Sequence, residues 1–286
     1  MDQTSAIILA VSLMIIMLGM GLSLVADDFK RIFVQPKAII IGLINQLILL
    51  PLIAFGLVLA FPVSPEIAVG VMILAACPGG ATSNLISHLA KADTALSVTL
   101  TAFSSFITIV TIPFIVNFSL EQFLDQSNQI QLDIVQTFLQ ILMIIIIPVS
   151  IGMLIRKYRE SFALRMGKPV HIASALVLIL VIVGIIIKEK DNLAESFRQA
   201  GLVVVCLNIL VMFVGYYSAK LLKVTNKRAL SIAIESGIQN GTLGITVAVV
   251  LLGNTEFAIV SAIYGVLMFF TGAVAVYIGT LQSKKQ

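Results

Sequence analysis

The chain has 286 residues, of which 59% are hydrophobic and 11% charged, with two cysteines, no tryptophan and a formal net charge of +4. Soluble globular domains carry about 25% charged residues, so this balance and a mean hydropathy of +1.09 exclude a soluble domain and indicate an integral membrane protein. Two cysteines far apart, Cys77 and Cys206, exclude a disulfide framework or a CxxC metal site.

Apolar runs of about 20 to 24 residues match the length of helix that crosses a hydrocarbon core, whereas a β-barrel would alternate in segments of about 10. The sequence therefore predicts one all-α, polytopic transmembrane domain over 1–286 with nine helices. The first helix is predicted over 5–25; Met1-Asp2-Gln3-Thr4 ahead of it lacks the basic residue of a removable signal peptide. The second, 38–61, carries Asn45, Gln46 and Pro51, and the third, 66–89, is interrupted by the polar string Cys77-Pro78-Gly79-Gly80-Ala81-Thr82-Ser83-Asn84. The fourth, 94–117, places Ser97 and Thr101 on one face at i and i+4 and contains Pro113; an acidic outer loop is expected around Glu121 and Asp125. The fifth, 132–155, contains Pro148, and 169–188 and 197–220 follow as the sixth and seventh. The eighth, 229–252, is interrupted by Glu235-Ser236-Gly237-Ile238-Gln239-Asn240-Gly241, and the ninth is 256–281. Prolines 51, 113 and 148 are expected to kink their helices by removing a backbone donor.

The loop charges check this count. One side holds Lys30, Arg31, Lys37, Lys91, Arg156, Lys157, Arg159, Arg165, Lys168, Lys220, Lys223, Lys227, Arg228, Lys284 and Lys285. The other holds Lys188, Lys190 and Arg198, diluted by Glu189, Asp191 and Glu195. Fifteen against three predicts a multi-pass protein of the cell membrane with the N-terminus outside and the C-terminus cytoplasmic. Basic residues scattered through loops also argue against nucleic acid as a partner, and nothing points to an obligate protein partner. The two interrupted helices lie five spans apart and so run in opposite directions, the arrangement of an inverted repeat of four plus five helices.

Broken, polar backbone at membrane depth is tolerated where it lines a cavity or binds something. Glu235 is the acidic residue placed near mid-span, where a charge costs about 2.5–3.5 kcal/mol on insertion scales and needs a partner. Around it the sequence offers Ser83, Asn84, Ser97, Thr101, Gln46, Gln239 and Asn240. Hydroxyls, amide carbonyls and one carboxylate suit a hard monovalent cation, sodium or a proton, and not zinc or copper. Calcium and magnesium usually recruit more carboxylates. Freed amides at the helix breaks add a place for an anion. No enzyme is expected: His88 and His171 fall at span ends, and Gly79-Gly80 lacks the following Lys-Ser/Thr of a phosphate loop.

The strings Ala76 to Asn84 and Glu235 to Asn240, with Gln46 upstream, resemble the bile acid:sodium symporter family, and the similarity spans essentially the whole chain. The resemblance implies a nine-helix form with two crossing discontinuous helices. It implies a panel of the first, fifth and sixth spans and a core of the other six. It further implies one sodium site from Ser83, Asn84, Ser97, Thr101 and Glu235, and a second from Gln46, Glu235, Gln239 and the carbonyls of Ser236 and Ile238. The implied function is symport of a small organic anion with two sodium ions by alternating access in the lipid bilayer. The alternative is a proton-coupled or exporting carrier, arsenite- or auxin-exporter-like, using Cys77. Substrate contacts are expected at Asn240, Ala81 and Thr82. Two departures stand out: the family's threonine directly after the double glycine is here Ala81-Thr82, and Met268-Phe269-Phe270 replace polar residues of the last helix.

Overall fold

The computed structural model describes residues 3–124, 133–188 and 193–284. Met1, Asp2, Asp125, Glu189, Lys190, Asp191 and Lys285, and the side chains of Lys168, His171 and Lys188, lie outside the described residues. Among the described residues the regular structure is helical, apart from one isolated β-bridge. In chain order the helices are α1 (Gln3–Ser23), α2 (Ala26–Val34), α3 (Pro36–Ala60), α4 (Pro65–Ala76), α5 (Ala81–Leu89) and α6 (Thr94–Phe123). They continue as α7 (Ile134–Tyr158), α8 (Glu160–Lys188), α9 (Leu193–Leu221), α10 (Asn226–Gly237), α11 (Gly241–Leu251) and α12 (Glu256–Ser283).

Among the described residues, five stretches are long and apolar enough to cross a bilayer singly: α3, α6, α7, α12 and Phe197–Leu221 of α9. Ile7–Ser23 and α2 pass the same test as a pair bent by 62°. The protein is thus an all-α polytopic membrane protein. Leucine, isoleucine and phenylalanine side chains such as Ile8, Ile15, Leu52, Phe114 and Phe270 stand exposed along these helices, as a lipid-facing surface requires.

The short apolar helices occupy the centre. Every residue of α4 from Ile67 to Ala76 is buried, and so is every residue from Ala229 to Val249 across α10, the break and most of α11. Helices that are apolar on all faces, as α4 and α11 are, belong inside a bundle. Enclosure also shields the interrupted backbone from lipid, which cannot satisfy its free amides and carbonyls. The prolines act in two ways. Pro51 and Pro148 each lie two residues past the end of one widened π turn, 45–49 and 142–146, and the helix continues through them. A wide turn makes room for the proline ring, which otherwise collides with the carbonyl four residues earlier. Pro113 lies within the unbroken helix α6.

The expected loop at Glu121 is helix instead: α6 runs on to Phe123 with Glu121 exposed in its last turn. Val116, Ser119 and Leu120 are still buried there, so the helix keeps a core-facing strip for another turn. Helix α1 packs along α7 and α8. The contact with α7 is backbone to backbone: a side chain on Gly21 would strike the Val149 carbonyl, and one on Gly152 would strike the Leu18 carbonyl and Gly21. Small residues permit this close approach in membranes. Gly152→Val is therefore expected to lower stability by about 1–3 kcal/mol, read as a lower melting temperature in detergent; an unchanged melt would mean that α1 and α7 separate without cost.

Candidate functional site

Two breaks meet at the centre of the molecule. The first, Cys77–Gly80, joins α4 to α5; the second, Ile238–Asn240, joins α10 to α11. They cross antiparallel and satisfy one another's backbone: the Gly80 amide donates to the Ile238 carbonyl at 3.2 Å and the Asn240 amide to the Pro78 carbonyl at 3.0 Å. Asn240 also caps α11, its Oδ1 accepting from the Leu243 amide at 3.0 Å. The interruption therefore leaves few orphan groups, and it fixes the two half-helix pairs to each other.

Glu235 sits one half-turn before the second break and is buried. Its Oε2 accepts from Ser83 Oγ at 2.7 Å and Ser97 Oγ at 2.9 Å, and its Oε1 accepts from Thr101 Oγ1. Asn84 Oδ1 closes the ring, lying 2.9 Å from Ser97 Oγ and 3.2 Å from Thr101 Oγ1. Ser97 and Thr101 share one face of α6 as their spacing requires, and Ser83 and Asn84 project from the first turn of α5. Among the described residues no basic side chain pairs with Glu235. Gly79 is needed here because any side chain on it would land on the Glu235 carboxylate.

A second polar group lies across the crossing. Gln46, buried in the π turn of α3, donates through Nε2 to the Cys77 carbonyl at 3.0 Å and to Gln239 Oε1 at 2.8 Å. Gln239 Nε2 donates to the Ser236 carbonyl at 2.7 Å. Gln46, Gln239 and Ser236 thus come together, while the Ile238 carbonyl is engaged by the Gly80 amide and the Glu235 carboxylate turns toward the serine and threonine hydroxyls.

Of the residues expected to touch substrate, Ala81, Thr82 and Asn240 all line one cleft of about 140 Å³ between α1, α8 and the crossing. Met268 and Phe269 form part of its wall. Phe270 does not; it is 69% exposed on the outer face. Cys77 is buried with Sγ donating to the Ile73 carbonyl, and Cys206 is half-buried.

Two residues outside the sequence-based set also hold the second break. Asn208 Nδ2 on α9 and the Tyr264 hydroxyl on α12 donate to the Gly237 carbonyl at 2.8 and 2.9 Å. Both are fully buried, and a single amide or phenol in an apolar span is the signal by which they could have been found.

A protein-family model described as the sodium bile acid symporter family matches residues 10–196. This chain belongs to that family. Its relatives extend the likeness past the second break. A Bacillus subtilis protein described as an uncharacterized sodium-dependent transporter, YocS, is 36% identical over 277 residues, 95% of this chain and 83% of its own length. A probable chloroplastic sodium/metabolite cotransporter of Arabidopsis thaliana is 28% identical over 96% of this chain and 67% of its own. The human ileal sodium/bile acid cotransporter is 28% identical over 84% and 68%. These relatives are transporters, not enzymes, and this symporter-family chain is a member of a sodium-dependent transporter family. Its crossing makes a direct test of packing possible. Gly79→Ala is expected to cost about 1–3 kcal/mol of stability by displacing the Glu235 carboxylate. Gly80→Ala, whose new atom would sit 3.4 Å from its nearest neighbour, is expected to leave stability unchanged or raise it by up to about 1 kcal/mol; equal melting of the two variants would contradict the geometry.

Proposed function

We propose that this protein is a sodium-coupled symporter of a small organic anion, carrying two sodium ions per substrate by alternating access. The observation that carries the reading is the Glu235 carboxylate, buried with no basic partner among the described residues and ringed by Ser83, Ser97, Thr101 and Asn84. These groups form the first sodium site. Gln46, Gln239 and the carbonyls of Ser236 and Ile238, with Glu235 behind them, form the second. Hydroxyl and amide oxygens replace a sodium ion's water at small cost, and the carboxylate supplies the charge.

The architecture of the proposal has nine spans in a four-plus-five inverted repeat, with α4–α5 and α10–α11 as the discontinuous pair. The N-terminus is outside and the C-terminus cytoplasmic. Helices α1, α7 and α8 form a panel, a division supported by their mutual packing; the others form the core, and the cleft lies between the two. Substrate meets Asn240, Thr82 and the Ala81 backbone there, beside the amino end of α5, whose partial positive charge favours an anion. Drug-sized ligands occupy pockets of about 300–1,000 Å³, so a cleft of about 140 Å³ fits a small carboxylate, and a steroid needs the panel and core to part further. An exporting carrier would draw on the Cys77 thiol, which is turned to the Ile73 carbonyl and is not part of the cleft wall; this favours symport.

Coupling is energetically sufficient. Two sodium ions with one monovalent anion carry one net positive charge inward, worth about 2.3 kcal/mol at 100 mV. Two tenfold sodium gradients add about 2.8 kcal/mol, at about 1.4 kcal/mol for each factor of ten. The sum of about 5 kcal/mol supports a several-thousandfold anion gradient.

Detergent-solubilised wild type is expected to melt higher in sodium than in potassium, since a ligand at 100 times its Kd stabilises the native state by about 2.7 kcal/mol. Glu235→Ala is expected to lose the whole sodium-dependent shift and Gln46→Ala part of it. Equal melting of the wild type in both salts would overturn the reading.

A further inference from the structure

A second, larger cavity of about 680 Å³ lies away from the crossing, where the end of α1 and the start of α2 face α6 and the last turns of α7. Its floor is apolar, with Phe29, Phe106 and Met153 among the lining residues; its rim carries Arg156, Lys157 and Glu160. Phe29 packs edge to face against Phe106 at 5.6 Å, which fixes the floor.

The surroundings place this cavity at the edge of the bilayer. Helix α2 leaves α1 at 62° and is strongly amphipathic. At its far end Phe33 and Val34 stand 85% and 76% exposed. A short helix of this kind lies in the interface with its apolar side chains in the acyl boundary. Tyr158, at the end of α7, is exposed, with Lys157 Nζ 5.4 Å from its ring, an arrangement typical of the aromatic belt.

The charges at the rim are out of balance. On α2, Asp27 pairs with Lys30 and Asp28 with Arg31, so that helix is neutral. Across the cavity two cations, Arg156 and Lys157, face one carboxylate, Glu160. Arg156 is mostly buried, its side chain 16% exposed; Nη2 meets Glu160 at 3.2 Å, and Nη1 is buried without a hydrogen-bond partner among the described residues. Two cations against one carboxylate, beside apolar side chains round a cavity of this volume, match a phosphate attached to an acyl chain.

We propose that this cavity is a binding site for an anionic phospholipid. Its phosphate is held by Arg156 and Lys157, and one acyl chain lies against Phe29, Phe106 and Met153. On the orientation proposed above the lipid comes from the cytoplasmic leaflet, although the site itself does not depend on that orientation. A lipid seated there wedges between α7 and the α2–α6 pair.

The test is native mass spectrometry of the full chain released from nanodiscs of mixed phosphatidylglycerol and phosphatidylcholine. Wild type is expected to retain phosphatidylglycerol in preference to phosphatidylcholine. Each basic residue near an anionic membrane contributes about a fivefold factor, so the double variant Arg156→Gln with Lys157→Gln should lose about 25-fold of that preference. Ser150→Phe, which fills the cavity and leaves both charges, should release both lipids, and Lys30→Gln on neutral α2 should behave as wild type. Equal retention of the two lipids by wild type, or an unchanged preference in the double variant, would overturn the proposal. Displacement of the lipid by inorganic phosphate alone would overturn it too, by making the site one for free anions.

Discussion

A carboxylate buried inside an apolar helical bundle, with no basic partner among the described residues, imposes demands on everything around it. Glu235 meets them with hydroxyl groups drawn from two other helices, and the rest of the core is arranged to deliver those groups. Helix α6 can stay continuous because serine and threonine four residues apart face the same way. Helix α4 cannot continue into α5, because Ser83 and Asn84 must turn inward from a first helical turn, and Gly79 must leave space for the carboxylate itself. The second break then finds its backbone partners in the first: Pro78 and Gly80 take up the Asn240 and Ile238 groups that an unbroken helix would have satisfied internally.

On the proposed reading this arrangement suits an ion that comes and goes. Each hydroxyl that now donates to Glu235 also carries lone pairs. Rotation of the hydroxyl hydrogens would turn the same oxygens toward a cation, with the carboxylate supplying the balancing charge. The amide pair Gln46 and Gln239 has the same double character, each offering a carbonyl oxygen as well as a donor. Sodium would then replace hydrogen bonds within the crossing and draw α3, α6 and the two broken helices together. Asn208 and Tyr264, through the Gly237 carbonyl, would tie that movement to α9 and α12.

The membrane class, the two breaks and the residues around Glu235 were legible in the sequence because apolar helices make polar atoms conspicuous. Ser97 and Thr101 were readable from helical spacing alone, and the structure brings them to one carboxylate. Other features depend on packing that no short pattern encodes. Glu121 reads as loop by its charge, yet Val116 and Leu120 carry α6 past it. Phe270 reads as part of the cleft wall with its neighbours, but helical geometry turns it 100° away from Phe269 and out to the surface. Pro51 and Pro148 announce a disturbance, while its form, a π turn just before each ring, depends on what the neighbouring helices allow. Asn208 and Tyr264 lie in apolar spans 56 residues apart, and only the fold shows that they share one carbonyl.

Equilibrium binding of radioactive sodium to the purified protein shows whether the Glu235 cluster holds the ion. Saturable binding of two ions per chain is expected, with loss of both in Glu235→Gln and loss of one in Thr101→Val, which leaves Gln46 and Gln239 intact. Undiminished sodium binding by Glu235→Gln would contradict it.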